Sequence, residues 1–339
     1  MTSPRLLVGG ALLLSGVAVL AIGFGSVAIA PGDVISILAR QLFGVDVPPF
    51  IQSAGATSIV MELRLPRILA AILVGAALAV AGGAFQSLLR NPLADPYVLG
   101  TSSGAALGAA IAILLPIGCV AWELGGVQLA AFIGALASVG LVWRVAGIGS
   151  GEERIASVLL VGYAVASLLA AALSLVMLAS GANLRAIFSF LLGGLDGATW
   201  PRLAAAALPL IAATALLALR GRALAGFLLG DETAQHLGVD VRRERRIAVA
   251  LASLATAAAV ALAGLIGFVG LVVPHLVRLA VGPDPRAVLP LSAIGGALLL
   301  LLADTIARSI GVPVGVITAL IGAPFLLWLL HRARTGYAL

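Results

Sequence analysis

The sequence predicts an all-α, polytopic membrane protein of about ten transmembrane helices, and three observations carry that prediction. Hydrophobic residues make up 62% of the chain and charged residues only 10%, whereas a soluble domain carries about 25% charged residues. Mean hydropathy is +1.18. Apolar runs of roughly 20 residues, enough to cross a bilayer, recur along the whole length, so residues 1–339 read as one transmembrane domain.

Charge narrows the function classes. Net charge is +6 and every basic residue is arginine. The arginines sit at span ends without interleaved aromatics, which argues for membrane topology rather than nucleic-acid binding. A Walker A loop requires Gly-Lys, and a chain without lysine has none, so any ATP is bound by another subunit. The lone Cys119 allows no internal disulfide and fits no metal-ligand spacing.

The first span, Leu6–Ala30, is too long for a signal-peptide core, and it reads as an uncleaved helix with its N-terminus inside. Pro31–Glu62 is an external loop with a short interfacial helix over Val34–Phe43. Span two runs from Pro66 to Leu89, with proline well placed at a helix start. Arg64 and Arg67 precede and open it on the outer side, against the positive-inside trend. Two readings stand for them: snorkelling to lipid phosphate, or contact with an acidic external partner. Arg90-Asn91-Pro92-Leu93-Ala94-Asp95-Pro96 is a tight inner turn.

Span three, Leu99–Pro116, carries Gly100, Gly104 and Gly108 on one helical face, which permits close helix packing. Gly100–Gly104 also fits the G-x-S-x-G pattern around Ser102. The available partners, His275 and Asp304, follow in the wrong order for a serine hydrolase and without a strand–turn–helix, so packing is the better reading. Span four is Val127–Trp143. Arg144–Arg154, with Gly149, Ser150 and Gly151, is a flexible inner loop before span five, Ile155–Ala179. An external amphipathic piece, Leu184–Leu192, ends at Gly193-Gly194, and span six is Leu203–Leu219.

Gly221–Arg246 is the only long polar island. Arg222, Arg242, Arg243, Arg245 and Arg246 place it in the cytoplasm. Gly230, Asp231, Glu232, Thr233, Ala234, Gln235, His236, Leu237 and Gly238 read as one short helix. Asp231 caps its start, Glu232 suits the positive end of its dipole, and Gly238 supplies the left-handed stop. The island is then either a docking surface for a soluble partner or a solvated loop whose charges set topology.

Span seven, Ile247–Leu265, breaks at Gly264–Gly270 before a short span eight containing Pro274 and His275. The lone histidine reads more simply as a packing residue than as a ligand. Span nine, Val288–Arg308, places Asp304 and Arg308 one turn apart, as a structural ion pair or as a proton- or ion-coupling carboxylate. Span ten, Val312–Leu330, returns the C-terminus to the inside. Arg67-Ile68 and Arg246-Ile247, each leading an Ala-rich run, open spans two and seven from opposite sides as an inverted repeat would.

Several motifs together resemble the iron-chelate, haem and vitamin B12 permease family of ABC importers. They are Leu63-Arg64-Leu65-Pro66-Arg67, Gly75-Ala76-Ala77-Leu78, Arg90 through Pro96 with Leu99-Gly100, and Phe268 through Arg278. Ala303-Asp304-Thr305-Ile306-Ala307-Arg308 and Pro313 through Phe325 complete the set. The resemblance covers essentially the whole chain. It implies a type II ABC importer permease fold, a homodimer in the bacterial inner (plasma) membrane, and two cytoplasmic ATPase subunits that hold the ATP and Mg. An external substrate-binding protein completes the assembly, and this chain itself carries no cofactor and no catalytic residue. It also implies that Arg64, Arg67 and Arg308 receive the binding protein, that Gly230–Gly238 couples to the ATPase, and that the inner gate lies near Gly149–Gly151. Asn91, Pro92, Gly100, Gly104 and Pro274 fall in the family's structural motifs. The residue-level alternative is a secondary transporter that couples ion flow through Asp304.

Overall fold

A computed structural model describes residues 4–25, 27–44, 55–115, 125–146 and 152–334, and all regular structure among them is helical. Eight helices are long and apolar enough to cross a membrane. They are α1 (Pro4–Gly23), the rod formed by α3 (Ala56–Ser58), a π-turn (Ile59–Arg64) and α4 (Leu65–Leu88), then α6 (Gly126–Ala146) and α7 (Glu152–Ala179). The others are α9 (Trp200–Leu219), α12 (Val241–Ala263), α14 (Pro285–Ile310) and α15 (Val314–Arg334). Of three shorter apolar helices, α5 (Thr101–Leu114) and α13 (Val269–Val281) bring the number to the ten expected, and the third, Gly181–Leu192, contains the piece read as external and amphipathic. Gly149, Ser150, Gly151 and Cys119 lie outside the described residues.

Helix α4 is the centre of the molecule. It packs against α14, α12, α13 and α9, and its residues from Ala77 to Leu88 are all buried. Glycine makes very close contacts here: a Cβ at Gly75 would collide with the Gly296 carbonyl of α14, a Cβ at Gly296 with that of Gly75, and a Cβ at Gly82 with the Gly270 carbonyl of α13. Lipid offers no hydrophobic drive between helices, so such backbone approach is what holds them together. A second group, α5, α6 and α7, packs beside this core. Gly104 of α5 meets Gly134 and Ser138 of α6, as the small-residue face predicts. Gly100 does something else. At φ +73° it is the left-handed residue before α5, and it lies beside Ala166 of α7.

The turn after α4 departs from expectation. It is not a tight inner turn alone. Pro96 reaches Gly270, which in turn lies against Leu78, well inside α4 rather than at its end. The chain therefore folds back into the protein and meets the break between α12 and α13. That is why α5 and α13 have only 14 and 13 residues, roughly 20 Å of helix against a hydrocarbon core of about 30 Å. Non-helical backbone at that depth survives only where protein satisfies its polar groups. The Tyr97 hydroxyl donates to the Ile266 carbonyl at 3.0 Å and accepts from the Ile266 N–H at 3.3 Å. The buried Gln86 amide nitrogen lies 3.2–3.3 Å from the carbonyls of Ala94, Gly270 and Leu271. Pro274 has no N–H to give the Gly270 carbonyl four residues earlier, and Gln86 supplies that donor.

Two helix starts also move. Span seven begins at Val241, not Ile247, because the Asp240 side chain accepts from the Arg243 N–H at 3.0 Å and caps the helix there. The Arg242–Arg246 cluster is thus helical rather than looped. The external helix starts at Pro31 and ends at Phe43 as α2, while the amphipathic Leu184–Leu192 keeps its predicted bounds as α8.

Candidate functional site: an outer arginine cleft and an inner short helix

At the end of α4 and α14 that the arginine distribution of the sequence assigns to the outside lies a cleft of about 650 Å³ lined by Arg64, Arg67, Arg308, Glu62 and Asp196, with Val27, Thr199 and Pro313 among its other walls. The three arginines that stand out in the sequence all meet here, but their side chains turn inward. Arg64 is buried and donates to the Ile22 carbonyl, to Gly23 at 3.1 Å and to Val27. Arg308 donates to the Ala21 carbonyl at 3.1 Å. The last carbonyls of a helix lack partners and carry its negative dipole end, so these two guanidinium groups staple the outer end of α1. Snorkelling to lipid does not describe them.

Arg67 holds two carboxylates at once. Its Nε lies 3.0 Å from both oxygens of Asp304 and its Nη2 2.8 Å from one, while Nη1 pairs with Asp196. Arg308 faces the same Asp304 at 3.3 Å. Asp304 is 0% exposed, so it is the buried anion shared by two arginines, as the ion-pair reading expects, with Arg67 as the partner that sequence spacing does not reveal. A coupling carboxylate must exchange its proton or ion, and this one is locked against two cations away from solvent.

The hydrolase constellation does not form. Both ring nitrogens of His275 lack a hydrogen-bond partner, the ring packs edge-on against Phe325 at 6.0 Å, and Asp304 is held by arginines. In the turn, Asn91 accepts from the Leu93 N–H at 2.9 Å and Asp95 from the Tyr97 N–H at 2.9 Å. Pro92 sits between them, and Arg90 adopts a left-handed φ of +48°. These side-chain bonds to nearby backbone fix the turn where no helix ladder can.

On the other side of the protein, the polar island holds α10 (Gly221–Leu228) before the expected short helix, which is α11 (Asp231–His236), and ends in the first residues of α12. Leu224 and Phe227 anchor α10 in the core. Asp231 does not cap α11. Gly230 occupies the cap position at φ +97°, and the Asp231 carboxylate accepts from Arg245 Nη2 at 2.7 and 2.9 Å. Arg245 also lies over the Phe227 ring, 5.3 Å from its centre, a cation–π contact that fixes it further. Gly238 takes the left-handed φ of +82° expected of the stop. With Ala234 buried and Asp231 clamped, α11 is a braced element whose Glu232, Thr233, Gln235, His236 and Leu237 are exposed. In the following inner turn, Asp284 caps α14 and accepts from Arg286, and that hydrogen bond holds its carboxyl below the usual range.

Sequence reasoning missed Asp196, Gln86, Tyr97 and the role of Arg245. Gln86 carried a signal, as a lone amide in an apolar run. Asp196 carried none, being one polar residue in a Gly-rich loop.

The family profile of the FecCD transport family matches residues 12–332. The cobalamin import system permease protein BtuC of Halobacterium salinarum is 48% identical over 278 residues, covering 81% of this chain and 74% of the relative. The hemin transport system permease protein HmuU of Yersinia pestis is 39% identical over 337 residues, covering 98% and 97%. A solved structure described as an inward-facing metal-chelate-type ABC transporter superposes with a TM-score of 0.84 at 30% identity, covering 97% of this chain and all of that one. Ten apolar helices in this arrangement and a match over nearly the full length lead to one assignment: the chain belongs to the FecCD transport family of ABC permeases.

Proposed function

We propose that this chain is the membrane subunit of an ATP-driven importer that moves a metal chelate (ferric siderophore, haem or cobalamin) across the inner membrane by alternating access. It works as a homodimer with both termini cytoplasmic, two ATPase subunits beneath it and a substrate-binding protein above. The observation that carries the reading is α11, a braced helix with a bare outer face, set between two spans on the arginine-rich side. A rigid handle of that kind transmits a partner's motion, whereas a solvated loop does not. Asp231 and Gly230 hold the handle, and Glu232, Thr233, Gln235, His236 and Leu237 meet the ATPase. ATP must favour one orientation of the permease pair, since a ligand with equal affinity for both shifts nothing. The outer cleft receives acidic residues of the binding protein through Arg64, Arg67 and Arg308. The permease performs no bond chemistry. ATP and Mg belong to the partner.

The test is uptake into right-side-out vesicles that carry the assembled complex. Labelled cobalamin, haem and ferric siderophores are offered, each with its binding protein, with and without luminal ATP and a protonophore. Uptake of one chelate that requires ATP and ignores the protonophore is expected. Uptake that follows the proton gradient and needs no ATP overturns the reading.

A further inference from the structure

The outer cleft is already neutral without any partner. Three arginines, Arg64, Arg67 and Arg308, line it with two carboxylates, Asp196 and Glu62, and the third carboxylate, Asp304, lies buried behind Arg67 and Arg308. An acidic partner gains little there unless one of the internal carboxylates gives way. The three differ sharply in what leaving would cost. Asp304 is 0% exposed and bound by two guanidinium groups, and stripping a buried anion of its partners is strongly unfavourable. Asp196 is 79% exposed, and its pair with Arg67 is with Nη1 alone. Exposed pairs contribute little and are readily replaced by water or another anion. Glu62 contacts none of the three. Arg67 therefore has a fixed side, the Nε and Nη2 edge on Asp304, and a replaceable side, Nη1 on Asp196. The loop that presents Asp196 is itself tethered. Gly194 N–H donates to the Ala263 carbonyl at 2.8 Å and Trp200 Nε1 to the Met61 carbonyl at 2.7 Å. Freeing the side chain thus needs a rotamer change, not an unfolded loop.

We propose that Asp196 is a placeholder carboxylate: it occupies the outward donor of Arg67 in the undocked permease, and a carboxylate of the binding protein displaces it on docking. This rests on the docking reading of the outer cleft given above. The exchange keeps the Nη1 donor of Arg67 paired at every stage, and it weakens docking by the strength of the Arg67–Asp196 pair, which favours release after delivery.

The experiment measures the Kd of the reconstituted full complex in nanodiscs for the substrate-binding protein of the same importer. Asp196→Asn is exposed and leaves the buried network alone. It is expected to tighten binding by roughly two- to five-fold, the range an exposed pair supplies, and to do nothing in an Arg67→Lys background. Lysine keeps a cation for Asp304 but loses the separate Nη1 donor, and the comparison uses complex of that background that elutes as a single monodisperse species. An unchanged or raised Kd for Asp196→Asn overturns the exchange, and so does an equal tightening with lysine at 67. Arg67→Lys judges the docking reading separately. A Kd that it leaves unaltered removes Arg67 from the interface, while weaker binding together with a silent Asp196→Asn keeps docking and discards the placeholder.

Discussion

The two arginine-rich ends of this protein use the same side chain in opposite ways. At the outer end, Arg64, Arg67 and Arg308 are largely withdrawn from solvent, and each has protein partners: three carbonyls for Arg64, two carboxylates for Arg67, and Asp304 with Ala21 for Arg308. At the inner end, Arg222, Arg242, Arg243 and Arg246 are exposed, while Arg220 pairs with Glu244 at 2.7 Å, Arg245 with Asp231 and Arg286 with Asp284 at 2.9 Å. The lesson is that charge against the topological trend marks a built network, while charge with the trend requires none. An arginine on the wrong side of a membrane protein needs a structural reason to stay there, and Asp304 and the end of α1 provide it.

The sharpest way to break this contrast is Asp304→Asn. It leaves two mostly buried guanidinium groups without their anion, and a loss of about 3–5 kcal/mol is expected, read as reduced folded yield and a lower melting temperature in detergent. A variant that melts like the parent would mean the outer cluster is no network at all. Next in size is Gln86→Leu, at about 1–3 kcal/mol for the carbonyls it strands. The loss should shrink when Pro274→Ala restores an N–H near Gly270, which a thermal-stability double-mutant cycle measures. Third, Arg245→Met removes the brace on α11 and its contact with Phe227. About 1 kcal/mol is expected, seen as faster hydrogen exchange over residues 231–237 and weaker co-purification of the ATPase with insertion intact. Arg242→Gln with Arg243→Gln should change stability by no more than about 0.5 kcal/mol. A large effect there would erase the distinction between the two ends.

The smallest expected effect depends on pH. The Asp284 carboxyl is lowered by its hydrogen bond from Arg286. Its contribution is therefore complete above the ordinary carboxylate range near pH 4, and is lost as pH falls through the depressed value. The melting temperature of Asp284→Asn should converge with the parent's only in acid.

Span number and order, the amphipathic α8, and the identity of the important arginines were all legible in the residues. So was the Asp304–Arg308 pair one turn apart, but the long-range side-chain partners were not. Arg67 and Asp304 are 237 positions apart, and no local periodicity connects them. Asp231 looked like a cap because local rules favour it there, but Arg245, brought alongside by the start of α12, competed for its carboxylate and left Gly230 at the cap.

What the sequence determined alone is the partition between lipid and water. Apolar runs of the right length must be helices in a bilayer, because every backbone polar group has to be satisfied within its own segment, and arginine counts orient them. Tertiary structure alone decided depth and partnership. In the apolar window of α4, 78% of residues are buried, against 11% in that of α7, though both runs are similarly hydrophobic. Burial between helices depends on glycine-to-glycine approach and on a few polar side chains closing broken backbone. Those contacts join residues far apart in the chain, so only the packed structure reveals which apolar helix is core and which faces outward.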